Sequence, residues 1–392
     1  MAECAGLNYN ESVEAREYYK MVMTPFLDLF NPVYFYVYRI LCVLGVFANA
    51  AIIIVLLRPA MRKSPFNVLL IVIAFCDGFL MATYLIFKPV EFCHPWFFSY
   101  GWVMYTKFYA CMSVFVHSVS LWLTVNMAVL RYLVLYRGSH ATSRLPPCNS
   151  YSAALVAIAV ATITAFLGSL LNMLRYEITF LQERPVPESC LDHPKYGPLW
   201  SKKDKINHYE FDRPVWWNCT WERANYWIVA WLLKLIPCIL LTIFMTLLVR
   251  MLVEARERRS RLCGGSVTSG NSQAERTTAM LTVIVAVFLL TELPQGLFAL
   301  AAGIYPQLMI LNFQVGSVFD LLSLTNSAVN FVLCALMSHV FRREFCKTFS
   351  MCCCWRSTDV VTRQTSGKTA TRPRPAPSQD PSYSPMLPKG YE

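Results

Sequence analysis

Charge is scarce in this sequence. Asp, Glu, Lys and Arg make up 15% of its 392 residues, where a soluble domain carries about 25%, so a soluble globular fold is excluded. Catalytic signatures are missing as well. The six histidines are scattered, and neither His-Glu-x-x-His nor Gly-x-Ser-x-Gly occurs, so no metal-binding or nucleophile set points to an enzyme. No internal repeat suggests a transporter, and no filter sequence or pore ring suggests a channel. No short alternating segments of a barrel appear. No basic segment with a cleavage site precedes the first apolar run, so no signal peptide is expected.

What the chain has is apolar length. It is 56% hydrophobic, and seven runs (33–57, 66–88, 104–136, 150–174, 224–253, 274–303 and 312–338) are each long enough for a membrane helix. The fold class expected is an all-α seven-helix membrane bundle, residues 33–338. It is preceded by an outer segment, 1–32, and followed by an amphipathic surface helix, 339–350, and a disordered Ser/Thr/Pro-rich tail, 351–392.

The third run organises the rest. From Cys111 up to Arg137 only His117 and Arg131 can carry charge. Ser113, His117, Ser120, Thr124 and Arg131 recur at intervals of four, three, four and seven, which places them on one helical face. Trp122 falls on the opposite side, which is expected to face lipid.

Lys and Arg in the connections set the orientation. Arg58, Arg62, Lys63, Arg137, Arg144, the arginines at 250–261, Arg276, Arg342, Arg343 and Lys347 share one side, opposite the acidic N-terminal segment. The N-terminus is therefore expected outside, and the net charge of +11 forms mostly a cytoplasmic rim with no nucleic-acid footprint. The sequons at Asn10 and Asn218 then both fall outside, as glycosylation requires.

Polar residues inside the spans mark function. Asn49 is in the first and Asp77 halfway along the second. Lys234 and Pro237 are in the fifth, where the proline should kink or open the helix. Glu292, Pro294 and Gln295 are in the sixth. Asp320, Ser323, Ser327 and Asn330 form a stripe in the seventh. The long loop 176–223 is of a length that is usually functional. After Ser338, Val340, Phe341, Phe345 and Phe349 oppose Arg342, Arg343 and Lys347, which suits a helix lying flat on lipid. Cys346 and Cys352, Cys353 and Cys354 follow as palmitoylation candidates; a metal site at the cysteine cluster lacks a second ligand pair.

These residues resemble the rhodopsin-like G-protein-coupled receptors: Asn49, Asp77, Arg131-Tyr132, Pro237, Pro294 and Asn330 stand where that family has its markers. The invertebrate myosuppressin and FMRFamide-like neuropeptide receptors are more similar still, through His117-Ser-Val-Ser-Leu-Trp-Leu-Thr-Val125, Lys234-Leu-Ile-Pro-Cys238, Arg276-Thr-Thr-Ala-Met280 and Glu292-Leu-Pro-Gln-Gly296. Departures from the broad family are Leu130 for the acid before Arg131, Glu292 for a tryptophan, and Asn330-Phe-Val-Leu-Cys334 for Asn-Pro-x-x-Tyr. The fourth span also lacks its tryptophan, and Thr106 replaces a cysteine. The resemblance implies a plasma-membrane receptor, not an enzyme, for a short amidated peptide, working through a heterotrimeric G protein at Arg131, Tyr132, Arg342 and Arg343. A receptor for another ligand class, or a constitutively active one, is the alternative.

The resemblance also implies site residues. Asp77, Ser120, Asn326 and Asn330 form a polar cluster that holds either a sodium ion or water; no other cofactor is implied. A disulfide is expected from Cys93 to Cys190 or Cys219, with a bridge inside the loop as the competitor, and Cys111 as a buried free thiol. Asp320, with no obvious partner unless Lys88 reaches it, is expected to take the peptide's arginine, with Glu292 or Glu91 in reserve. Glu292 and Lys234 are expected to pair below it, and His117 and Gln295 to line the pocket floor.

Overall fold

The computed structural model describes residues 9–139, 151–262, 268–337 and 339–349. The seven runs become helices α1 (Tyr9–Leu56), α2 (Pro65–Phe87), α3 (Tyr100–Ser139), α4 (Tyr151–Leu174), a composite fifth span, α8 (Thr268–Ile304) and α9 (Leu308–Met337). The fifth span joins α6 (Cys219–Ile228), a π-helical stretch (Val229–Leu235) and α7 (Ile236–Leu262). Helices satisfy every backbone group internally, which a hydrocarbon layer demands. Six of the described helices are long and apolar enough to cross a membrane, and α9, 30 residues long, completes the seven-span bundle.

Small residues set how closely these helices approach. On α4, Ala154, Ala157, Ala161, Ala165 and Gly168 are buried along one face, while Leu155, Val156, Val160, Ile163 and Leu167 are exposed on the other. That face packs against Val116, Val119 and Leu123 of α3, the close contact that small side chains permit in membranes. Two asparagines stitch the same helices: Asn126 donates to the Ala157 carbonyl at 2.9 Å and Asn172 to that of Ala110 at 3.1 Å. Trp122 corrects the lipid-facing expectation. It is buried against α4, and its indole nitrogen donates to the Leu232 carbonyl at 3.2 Å, because an indole N–H in an apolar layer needs an acceptor.

The π-helical stretch sits between two glycines. A side chain on Gly168 would meet Leu233, and one on Gly296 of α8 would meet Cβ of Lys234 at 3.0 Å. Leu233 is fully buried, so it can give way only by disturbing its neighbours. Gly168→Ile should therefore destabilise the protein by about 1–3 kcal/mol through overpacking, read as a lower melting temperature in detergent. An unchanged melting temperature would mean that α4 and the fifth span do not meet as described.

Three regions differ from what the sequence led us to expect. First, the N-terminal segment is helical from Tyr9, so α1 is 48 residues long with Pro25 and Pro32 inside it. Phe26, Phe30 and Tyr34 stack one turn apart at 5.5 and 5.4 Å and carry the helix on. Second, the 176–223 loop contains an antiparallel hairpin, β1 (Glu177–Pro185) and β2 (Lys205–Asp212), with an irregularity at Phe180/Gln182. A short turn, α5 (Glu188–Leu191), lies between the strands. Third, α10 (His339–Thr348) does not offer its whole apolar face to lipid. Phe341 is buried with Ile52, Val55 and Leu56 of α1 and Ala74 of α2; Phe345 and Phe349 pack beside it, and only Val340 is exposed. A buried Glu344 holds it there, paired with Lys347 at 2.9 Å and with Arg58 at 3.5 Å. Cys352, Cys353 and Cys354 lie outside the described residues.

Candidate ligand site

Towards the hairpin end, a cavity of about 290 Å³ opens between the helices, lined by residues of α2, α3, α4, α6, α8 and α9. Its floor is built around one carboxylate. Glu292 is fully buried on α8, and Lys234 from the π-helical stretch donates to its Oε2 at 2.6 Å. Nε2 of His117 on α3 lies 3.3 Å from the same oxygen and 3.2 Å from Oε1. Lys234 also donates to Gln295 Oε1 at 3.0 Å, and Gln295 continues to Ser323 of α9 at 3.2 Å. Four helical segments thus meet on one buried polar network. The local π geometry, which adds a residue to the turn, is a common feature of functional sites; here it lies just before Pro237, where the sequence predicted a local opening.

Higher in the cavity stands Asp320. Tyr84 of α2 donates to its Oδ2 at 3.0 Å and is itself hydrogen-bonded to Tyr34 of α1. The acid thus has a neutral partner that sequence reasoning missed. Lys88 makes no ion pair with it within 4 Å: its ammonium lies 3.5 Å from Ser317 Oγ and 5.1 Å over the Tyr34 ring. Among the described residues no cation pairs with Asp320 within 4 Å. Asn225 of α6 also lines the cavity; it is buried and its Oδ1 has no partner among the described residues. Glu91 belongs elsewhere. With Lys88 and Arg184 it lines a second cavity, of about 610 Å³, under the hairpin.

The rim holds an ionic cluster that the sequence did not reveal. Glu222, buried at the start of α6, accepts from Arg175 at the end of α4, from Arg213 and from the Trp217 indole at 2.8 Å. Two guanidiniums on one carboxylate leave one surplus positive charge, and Arg175 lines the cavity. The only sequence signal was mixed charge in a tryptophan-rich loop.

The hairpin is fastened by a disulfide between Cys93 and Cys190, with Val186, Tyr196 and Ile206 packed around it. Cys219 is also disulfide-bonded. Cys111 is free but only half-buried, its sulfur 3.8 Å from the Met173 carbonyl. Asn218 caps α6, its side chain accepting from the Trp221 amide at 3.2 Å; Asn10 falls in the first turn of α1.

Below the cavity, Asp77 is buried, with Ser120 of α3 donating to Oδ1 at 2.9 Å and Asn330 of α9 donating to Oδ2. Asn326 makes no hydrogen bond to it among the described residues. Ser327, one position on, is buried beside this group, its hydroxyl near Asp77 but making no close hydrogen bond among the described residues. The set is rich in oxygen, which a hard cation prefers, and the spare hydroxyl fits an ion or a water. At the α10 end, Arg131 is half-buried with its guanidinium 5.8 Å from the Phe66 ring centroid, Tyr132 packs on Phe244, and Arg343 is exposed.

Residues 35–352 match the family model described as serpentine type 7TM GPCR chemoreceptor Srw. Over 370 residues the chain is 32% identical to the G-protein coupled receptor dmsr-1 of Caenorhabditis elegans, covering 82% of this chain and 69% of that one. It is 26% identical to the sex peptide receptor of Drosophila melanogaster, with 85% and 76% covered. It is 24% identical to the FMRFamide receptor of the same fly, with 79% and 52% covered.

Proposed function

Since the chain belongs to the serpentine-type seven-transmembrane G-protein-coupled receptor family Srw, we propose that it is a plasma-membrane receptor for a short amidated peptide, with its N-terminus and hairpin outside. The observation that carries this reading is Asp320: a carboxylate facing a cavity of peptide-side-chain size, with no cation within 4 Å among the described residues. An ionised group in an apolar bundle is costly unless something pairs with it, and a guanidinium can do so through two parallel hydrogen bonds. The name of the fly FMRFamide receptor points to the same ligand class. Binding shifts the population towards the conformation in which the inner ends of the fifth and sixth spans separate. Pro237 and Pro294 make those spans the moving parts, and Arg131, Tyr132, Arg342 and Arg343 face the G protein. A panel of amidated peptides applied to cells expressing the full chain, with cAMP and calcium read out, tests this. Silence across the panel, with the receptor at the surface, would refute it.

The same reading places an allosteric sodium ion at Asp77, with Ser120, Asn330 and Ser327 around it and Asn326 outside. Sodium should then lower agonist affinity on the native receptor and leave it unaltered on Asp77→Asn. Equal affinity with and without sodium on the native receptor would leave Asp77 in a plain water network.

A further inference from the structure

The cavity floor carries hydrogen-bonding capacity that its own network does not use. His117 is 6% exposed and lines the cavity, and its Nε2 faces the Glu292 carboxylate. A carboxylate only accepts, so Nε2 carries a proton. Lys234 already pairs with Glu292, so the network asks the imidazole for one proton only. Its other nitrogen, Nδ1, is then a bare acceptor. It is buried and has no partner among the described residues. Lys234, also in the cavity wall, has three N–H groups, of which Glu292 and Gln295 take two. One spare acceptor and one spare donor therefore belong to two side chains that line the same cavity.

A primary carboxamide is the complement of that pair, with an N–H for the acceptor and a carbonyl for the donor. A carboxylate is not. It would set a lone pair against the Nδ1 lone pair and add a negative charge that nothing on the floor offsets, since the Lys234 charge is already engaged.

We propose that the floor reads the ligand's terminal group, with His117 Nδ1 accepting from a C-terminal carboxamide and Lys234 donating to its carbonyl. This rests on the amidated-peptide reading and assigns the residues that would enforce it. Asp320 and Ser323 are separated along α9 by about 4.5 Å of rise, and two extended residues span about 7 Å, so a dipeptide reaches from the arginine site to the floor.

The test uses three synthetic peptides ending in Arg-Phe: the amide, the free acid and the methyl ester, which keeps the carbonyl but loses the N–H. Competition binding is measured on membranes carrying the native receptor, His117→Phe or His117→Gln. The native receptor should prefer the amide over both analogues by roughly 10–100-fold, the cost of one buried group left unpaired. His117→Phe should bring both ratios close to one. The preference for arginine over citrulline in the same peptides should stay as in the native receptor, which general damage to the fold would not allow. His117→Gln restores an acceptor and should recover part of the preference for the amide over the ester. Unaltered amide-to-acid and amide-to-ester ratios in His117→Phe would overturn the assignment while leaving the peptide reading intact. A native receptor that binds none of the amides would overturn both.

Discussion

Glu292→Ala should lower the stability of the receptor by about 3–5 kcal/mol, because it strands Lys234 as a buried charge without a partner. The ammonium would keep only Gln295, a neutral acceptor at 3.0 Å. His117 would lose the carboxylate that orients its ring. The fifth span cannot simply swing the lysine outwards, since α8 runs so close that a Cβ added to Gly296 would meet the Lys234 Cβ at 3.0 Å, and Leu233 and Leu235 beside it are buried. The melting temperature of the detergent-solubilised protein and the fraction reaching the cell surface should both fall. Lys234→Met combined with Glu292→Leu should recover much of that loss, because a well-packed apolar pair often matches a buried ion pair in stability. Recovery of stability without recovery of signalling would mark the pair as part of the ligand site. A single variant as stable as the native chain would show that Lys234 finds another partner.

Asp320→Ala should weaken an arginine-containing peptide by more than tenfold, since truncating one side of a buried charged contact costs about 2–5 kcal/mol. Surface expression should survive. Tyr84, which donates to Asp320, keeps its hydrogen bond to Tyr34, so no hydroxyl is abandoned in the bundle. The decisive comparison replaces the peptide's arginine with citrulline, which keeps the shape and removes the charge. Citrulline should cost affinity on the native receptor and little further on Asp320→Ala. Equal losses on both would move the arginine to another acid, with Glu91 in the second cavity next in line.

The spans and the deep polar positions were legible because each is written in one stretch of chain. Apolar length gives a helix, and an intramembrane Asp77 or Glu292 is conspicuous against its neighbours. The Glu292–Lys234 pair was also legible, since each charge is alone in its span and the two spans are adjacent. What failed depended on distant chain. Trp122 looks lipid-facing by its angle on α3, but α4, with its alanine face, and a carbonyl of the π-helical stretch bury it. Tyr84 and Asp320 lie 236 positions apart, and nothing local to either announces the other. Asn326 and Ser327 are neighbours on α9, and only the packing of α9 on α2 decides which one faces Asp77. The acidic start of α1 reads as a polar outer segment, yet Glu, Ala, Arg, Lys and Met are all good helix formers.

The bridge between Cys93 and Cys190 spans 97 positions of sequence, and that separation has a cost in time. Chains are synthesised at about 5–20 residues per second, so the second cysteine leaves the ribosome roughly 5–20 s after the first. In the proposed orientation Cys93 waits through that interval as an unpaired thiol in an oxidising lumen while α3 and α4 are still being inserted. Cys219 then arrives as a rival soon after Cys190. Correct pairing is therefore a race that the hairpin must win by folding onto Cys93 first, and translation speed through the third and fourth spans becomes a determinant of receptor yield.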